Sequence, residues 1–150
     1  MRLSKRSTMP LRHKMVFFTA TEEQNHVFTE LKKILKNYAK TFDVRVNDTH
    51  QYELWTEHEY RSNSFHPRRQ RGVLFAGISI HNTHVGLYYY PLHINPAMAE
   101  RLPPELRETK KGQSAFHFTT INETLAEQLK AMLDEGVSYY KSNGWIIRSL

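Results

Sequence analysis

The chain contains no cysteine, and this absence excludes several kinds of chemistry. Without a thiol, the protein forms no disulfide, no thiolate metal site and no cysteine nucleophile. Disulfides are also rare in proteins of reducing compartments, and the lack of cysteine agrees with such a location. We therefore expect a cytoplasmic protein.

Long apolar runs are missing as well. The longest, residues 73–80, includes Gly77 and Ser79 and spans eight residues, whereas a membrane-spanning helix needs about 20. The sequence therefore predicts no membrane span. At 150 residues the chain has the length of one domain. A domain of this size buries about 70% of its unfolded surface and needs no disulfide or bound metal to fold.

Acidic residues are absent from residues 1–14, and the positive charge of the chain is concentrated in two short segments. The formal net charge is +6, but the chain is nearly neutral outside these segments. Their basic residues are Arg2, Lys5, Arg6, Arg12 and Lys14 in the first, and Arg68, Arg69 and Arg71 in the second. Basic tails of this kind are usually solvated and flexible. We interpret residues 1–14 as a basic flexible tail and residues 15–150 as a single domain, and nucleic-acid binding through the two segments is the less favoured alternative.

Helices are predicted near both ends of the chain. Thr21 followed by Gln24 forms a capping-box pattern, and an apolar stripe follows it at helical spacing. The stripe consists of Val27, Leu31, Ile34, Leu35 and Tyr38. A second helix is predicted from Thr120, as N-cap, to a stop at Gly144. The intervening strand patterns predict an α+β fold, a mostly antiparallel sheet covered by the N- and C-terminal helices.

Strand patterns begin at Phe42. Phe42, Val44 and Val46 alternate with polar residues and are therefore predicted to lie on one side of a strand. Residues 73–91 predict a β-hairpin, and a two-residue turn at Asn82 and Thr83 fixes its register. One hairpin face is apolar: Leu74, Ala76, Ile78, Ile80, Val85, Leu87 and Tyr89. The other face has small residues at its centre: Phe75, Gly77, Ser79, His81, His84, Gly86, Tyr88 and Tyr90. We expect a cleft on this second face.

Residues 110–118, "KKGQSAFHF", contain candidate anion-binding groups. They lack the two spaced glycines of a P-loop, and Phe116 stands where a nucleophile elbow needs its second glycine. Lys111, Gly112 and Ser114 could still offer a charge, a backbone amide and a hydroxyl to an anion. The alternative interpretation is a turn into a strand whose aromatic residues pack inward.

Aromatic and imidazole side chains supply the other site candidates. Five aromatic residues are predicted at one end of the second face: Tyr52, Trp55, Phe75, Tyr88 and Tyr90. Either they open a pocket for a small planar or anionic ligand, or Tyr88 simply lies across Gly77 and stabilises the strand pair. His81 and His84 are weak metal candidates, because a site needs a third ligand that the local sequence does not provide. No nucleophile, base and oxyanion donor occur at usable spacing, so we do not expect an enzyme.

A succession of short motifs resembles the YdhG-like family of small, largely uncharacterised bacterial proteins. The motifs are "YELW" (52–55), "LFAG" (74–77), "VGLYYYP" (85–91), "LPPEL" (102–106), "KGQSAFHF" (111–118) and "GW" (144–145). The resemblance implies an α+β fold of helices packed on one sheet. One branch of the family is described as frataxin-like iron chaperones, so the resemblance also implies possible iron binding, although the acidic residues of the first helix are interleaved with lysines.

The sequence as a whole favours a non-catalytic, YdhG-like cytoplasmic domain that binds a small anionic or planar ligand. The predicted ligand contacts are Trp55, Phe75, Tyr88, Tyr90, Lys111, Gly112 and Ser114. We predict no cofactor, and iron enters by resemblance alone. The predicted partner is an unknown small molecule, and a homodimer through a sheet edge or through the apolar end near Trp145 is left open.

Overall fold

A computed structural model of the chain describes residues 19–57 and 72–146. Its strands are β1 (Asp43–Asn47), β2 (Gln51–Trp55), β3 (Leu74–Ile80), β4 (Val85–Tyr89) and β5 (Ala115–Phe118). Its helices are α1 (Glu22–Lys36), α2 (Pro91–Ile94), a 3₁₀ helix (Pro96–Arg101), α3 (Pro104–Glu108) and α4 (Glu123–Ser142). The predicted basic tail and the arginine cluster of residues 68–71 lie outside the described residues.

The strands form one antiparallel sheet in the order β1-β2-β3-β4-β5. Together with the helices near both ends, this sheet confirms the predicted α+β fold. Residues 109–111 run along the outer edge of β5, where the amide of Lys111 donates to the carbonyl of Ala115 at 2.8 Å and that of His117 to the carbonyl of Thr109 at 2.8 Å. None of the described helices is long and apolar enough to cross a membrane.

The predicted hairpin register is confirmed. Ile80 pairs with Val85, and the pairing continues to Ala76 opposite Tyr89. The amide of His81 donates to the carbonyl of His84 at 2.8 Å, which closes the turn over Asn82 and Thr83. The turn fixes the register because a two-residue loop leaves only one way to pair the flanking strands.

A bulge in β3 corrects the predicted faces at the start of the hairpin. Leu54 of β2 pairs with Ala76, and the next residue, Trp55, pairs with Leu74, so Phe75 is left over. A bulged residue breaks the alternation of side chains. Phe75 therefore points into the core with 0% exposure, and Leu74 lies on the opposite face beside Trp55. The predicted positions of Phe75 and Leu74 are wrong for this reason.

A second irregularity occurs in β1. Val44 pairs with Leu54 and Val46 with Glu53, so the register shifts at Arg45. Val44 packs against the core, whereas Val46 lies opposite Glu53, on the other face. The predicted alternation of Phe42, Val44 and Val46 is therefore wrong at Val46.

Both long helices begin at side-chain caps. At α1 the predicted capping box is confirmed, since the Gln24 amide donates to Thr21 Oγ1 at 3.0 Å and the Thr21 amide to Gln24 Oε1 at 2.8 Å. At α4 the N-cap is Asn122, whose Oδ1 accepts from the Leu125 amide at 2.8 Å, and not Thr120. Asn122 has the extended backbone that a cap requires. The chain leaves α4 just before Gly144, which has a φ of 78°, as predicted.

The core lies between the sheet and the two long helices. Phe75 is at its centre, with its ring centroid 4.2 Å from that of Phe42 and 5.8 Å from that of Tyr89. Buried phenols find carbonyl acceptors: Tyr89 Oη donates to Met132 at 2.6 Å, and Tyr140 Oη donates to the carbonyl of Leu74 at 2.6 Å. Burial raises the pKa of both tyrosines, so their hydroxyls remain protonated donors.

Gly136 of α4 packs directly against aromatic side chains of the sheet, and this contact leads to a stability prediction. A Cβ at this position would lie 2.1 Å from Tyr89 Oη and 2.9 Å from Phe75 Cε1. Replacing glycine by alanine stabilises an exposed helix by about 1 kcal/mol. For Gly136→Ala we expect the opposite, a loss of about 1–3 kcal/mol in the free energy of unfolding, because the core is overpacked.

Urea denaturation measures this change, and Gly112→Ala is the control. A Cβ at residue 112 would meet only Ala115 Cβ, at 3.7 Å, so this variant should unfold like the wild type. If Gly136→Ala were as stable as the wild type, α4 would have room to move away from β4.

Candidate functional site

The sheet carries its candidate site on the side away from α1 and α4. We call this side the open face, and its central residues are Glu53, Gly77, Ser79, Gly86, Tyr88, Ala115 and His117. All of them are at least partly exposed. They alternate along the strands with core residues such as Ile78, Leu87 and Phe116.

A depression of about 270 Å³ lies at the centre of the open face. Strand register builds it in two rows: Glu53, Gly77, Tyr88 and Ala115 form one row, and Gln51, Ser79, Gly86 and His117 form the next. We call Gly77 and Gly86 the glycine floor, because they contribute no side chain between longer neighbours. His81, from the end of the hairpin, completes the lining.

Neighbouring side chains lean over the glycine floor. A Cβ on Gly77 would lie 3.1 Å from Glu53 Cγ, and a Cβ on Gly86 would lie 3.1 Å from the His81 ring. Both distances are tighter than ordinary carbon contacts. The two positions therefore require glycine for space, and a larger residue at either would fill the depression or displace its wall.

Three imidazoles stack across the upper end of the open face, and we call them the histidine stack. The ring centroids of His81 and His84 are 4.8 Å apart with planes at 24°, and those of His84 and His117 are 3.8 Å apart with planes at 17°. Two hydroxyl groups hydrogen-bond to rings of the stack. Ser79 Oγ lies 2.9 Å from His81 Nε2, and Thr83 Oγ1 lies 3.1 Å from His84 Nδ1. The ring nitrogens of His117 have no hydrogen-bond partner in the described part of the chain.

Stacking and burial affect the protonation of the central imidazole. Desolvation lowers the pKa of His84, and the neighbouring His117 and His81 rings lower it further. The stack is not a metal site in this arrangement, since lone pairs in parallel ring planes do not converge on one point. Within residues 19–57 and 72–146, no group of three or more histidine or acidic side chains could hold a metal ion.

Glu53, on the other side of the depression, is positioned by Trp55. The indole Nε1 donates to Glu53 Oε1 at 3.0 Å, and the guanidinium carbon of Arg45 lies 4.9 Å from the Trp55 ring centroid. Arg45 is itself held by Asp43 Oδ2 at 3.2 Å from Nε. Trp55 therefore acts on the site through Glu53 and does not line the depression.

Of the predicted ligand contacts, only Tyr88 lines the depression. Its side chain is 39% exposed. Tyr90 lies 6.1 Å from it, centroid to centroid, and stacks on His93 at 4.9 Å. Phe75 and Tyr52, two of the aromatic residues predicted at the second face, are instead buried in the core.

The anion cradle suggested by "KKGQSAFHF" is not assembled at the depression. Lys111 and Gly112 are exposed in the segment before β5 and do not line it. Ser114 is only 5% exposed, because it alternates with Ala115 and points towards the helices. The alternative interpretation of this stretch, a turn into a strand with inward-packing aromatics, matches the buried positions of Phe116 and Phe118.

Sequence reasoning did not identify Glu53 and His117 as site residues. The alternation in "SAFHF" placed His117 opposite the buried phenylalanines, which was a usable signal. This pattern did not show which strand lies beside β5. The pairing partner, β4, is separated from β5 by two short helices and a 3₁₀ helix. The position of Glu53 beside Gly77 could not be predicted for the same reason, because a long connection separates β2 from β3.

Comparisons of the chain with protein-family models, with curated proteins and with solved structures found no match. The resemblance to the YdhG-like family therefore stays a prediction from the motifs, and the geometry of the open face carries the functional argument.

The histidine stack generates a prediction about pH and stability. A histidine whose pKa is lowered by folding takes up its proton more readily in the unfolded chain. The stability that comes from neutral His84 is therefore present above its ordinary pKa of 6.5 and is lost as the pH falls through the lowered folded-state pKa. We expect the free energy of unfolding to decrease less between about pH 7.5 and about pH 5 in His84→Gln than in the wild type.

Chemical denaturation at both pH values measures the difference. His93→Gln is the matched control, since His93 is exposed and stacks only on Tyr90. An identical pH dependence in wild type and His84→Gln would show that the stack does not disfavour the imidazolium.

Proposed function

We propose that this protein is a non-catalytic binding domain for a small planar ligand, which it holds over the glycine floor of the open face. The observation that supports this proposal is a depression in which Gly77 and Gly86 contribute no side chain while Tyr88, His81 and His117 contribute rings. A planar molecule can lie flat only where side chains do not stand up from the sheet. Tyr88 and the imidazoles of His81 and His117 then contact its edges and faces.

The size of the depression limits the ligand to about one or two fused rings. Its volume of about 270 Å³ is close to the lower end of ligand pockets, about 300–1,000 Å³. The lining is mixed: Gly77, Gly86 and Ala115 supply a small apolar floor, while Glu53 and Tyr88 place polar atoms at its edges. This pattern suits a flat ring system with polar substituents.

Two polar groups can orient such a ligand. Glu53 uses one oxygen to accept from Trp55 and keeps the other for a ligand donor. The Tyr88 hydroxyl has no hydrogen-bond partner among the described residues and can donate or accept. Because these groups lie on β2 and β4, with β3 between them, they can engage opposite edges of one ligand.

The arrangement of the polar residues supports binding rather than catalysis. Ser79 Oγ and His81 Nε2 are 2.9 Å apart, the spacing of a nucleophile and its base, but no described residue hydrogen-bonds to Nδ1 of His81 to orient it. Glu53 and His117 lie on strands three positions apart in the sheet, which separates their backbones by about 14 Å. The Glu53 carboxylate is therefore too far from the His117 imidazole to orient it through a hydrogen bond.

A thermal-shift screen of the full chain against planar aromatic compounds tests the proposal. Ligand at 100 times its dissociation constant stabilises the folded state by about 2.7 kcal/mol, which raises Tm. We expect active compounds to lose this effect in Gly77→Val, because the added side chain stands on the floor of the depression. Valine is well tolerated in strands, and the unliganded Tm reports that the variant folds.

Thr119→Ala is the matched control, because Thr119 is exposed just beyond β5 and does not line the depression. It should respond to the same compounds as the wild type. The proposal is overturned if no planar compound shifts Tm, or if Gly77→Val responds as strongly as the wild type.

A further inference from the structure

The histidine stack places three titratable rings at one end of the proposed site without a matching carboxylate. From the hairpin, Ser79 and Thr83 contact the stack through neutral hydroxyls. From α1, the Gln24 side chain donates to the His81 carbonyl at 2.6 Å and brings no charge. β5 contributes only His117 itself.

The remaining neighbour is β2, and it brings one negative charge to the depression. Gln51, in the row of the stack, is neutral, and Glu53 lies in the next row, where it is bonded to the Trp55 indole. Within the described residues, an imidazolium at His84 would therefore have two imidazoles beside it, one at His81 or His117 would have one, and none would have a carboxylate in contact. The described part of the chain supplies no counter-charge at the stack.

We propose that the ligand supplies this charge: the site takes a planar aromatic anion, whose acidic group lies against the histidine stack and is bound together with a proton. This inference rests on the proposed function, since it assigns the anionic end of the same ligand. The ring system lies over the glycine floor, and the acidic group contacts His81 and His117, the two members of the stack that line the depression.

Proton uptake follows from the electrostatics. An anion beside an imidazole favours its charged form and raises its pKa, which is the reverse of the effect that burial and the neighbouring rings have on His84 in the free protein. The proton enters the stack when the anion binds, so that charge is neutralised at the contact. By linkage, the anion binds more tightly as the pH falls, and each bound anion takes up at most about one proton, because two adjacent imidazolium rings repel.

The experiment compares two probes of one shape: 2-naphthoate and its neutral analogue 2-naphthamide. The carboxylate, with a pKa of about 4, stays ionised from about pH 5.5 to about pH 8. Titration calorimetry on the full chain should show 2-naphthoate binding at least about fivefold tighter at the lower pH, while the affinity for 2-naphthamide changes less than about twofold. The heat of 2-naphthoate binding should also depend on the ionisation enthalpy of the buffer, which reports proton uptake.

The triple variant His81→Gln, His84→Gln, His117→Gln removes all three imidazoles of the stack and keeps polar side chains of similar size. It should bind 2-naphthoate with no pH dependence and no proton uptake, while wild-type behaviour is retained in His93→Gln. Persistent pH dependence in the triple variant would overturn the inference.

The two proposals fail in different ways. If both probes bind at the open face with the same pH-independent affinity, the planar-ligand site stands and the proton-linked anion end is refuted. If neither probe binds, or if Gly77→Val leaves their binding unchanged, the site itself is refuted and the inference falls with it.

Discussion

The bulge at Phe75 determines the character of both faces of the sheet. It turns one aromatic ring into the core, where it contacts Phe42, Tyr89 and Tyr140. Aromatic side chains of this size contribute much of the buried area of a small core. Because of the bulge, the Phe75 ring is also absent from the open face. Without the bulge it would lie two residues from Gly77 and cover the depression.

Stability and binding are therefore carried by different residues of the same strands. In β4, Leu87 and Tyr89 are buried against the helices, whereas Gly86 and Tyr88 line the depression. Substitutions on the open face change few core contacts, so the recognition properties can vary while the fold is kept. Gly77 and Gly86 are exceptions, because a side chain at either position would displace Glu53 or His81.

Local features of the fold were predictable, and long-range ones were not. The capping box at Thr21 and the hairpin register depend on residues a few positions apart, so the sequence pattern contains the information. The bulge at Phe75 is set by pairing with β2, which is distant in sequence, and no local pattern encodes that partner. At α4, Thr120 and Asn122 can both cap a helix, and the backbone conformation at Asn122 decides between them. A depression lies on the hairpin face where a cleft was expected, but its outer walls belong to strands whose neighbours the sequence did not reveal.

The segment along the outer edge of β5 has a consequence for self-association. Residues 109–111 occupy hydrogen-bonding groups of that edge, which leaves β1 as the edge strand of the described sheet that can accept a further strand. A sheet that can be extended on one side only cannot polymerise by edge-to-edge addition, because the first pairing uses the available edge. Pairing of β1 with β1 of a second copy would therefore use this edge in both molecules.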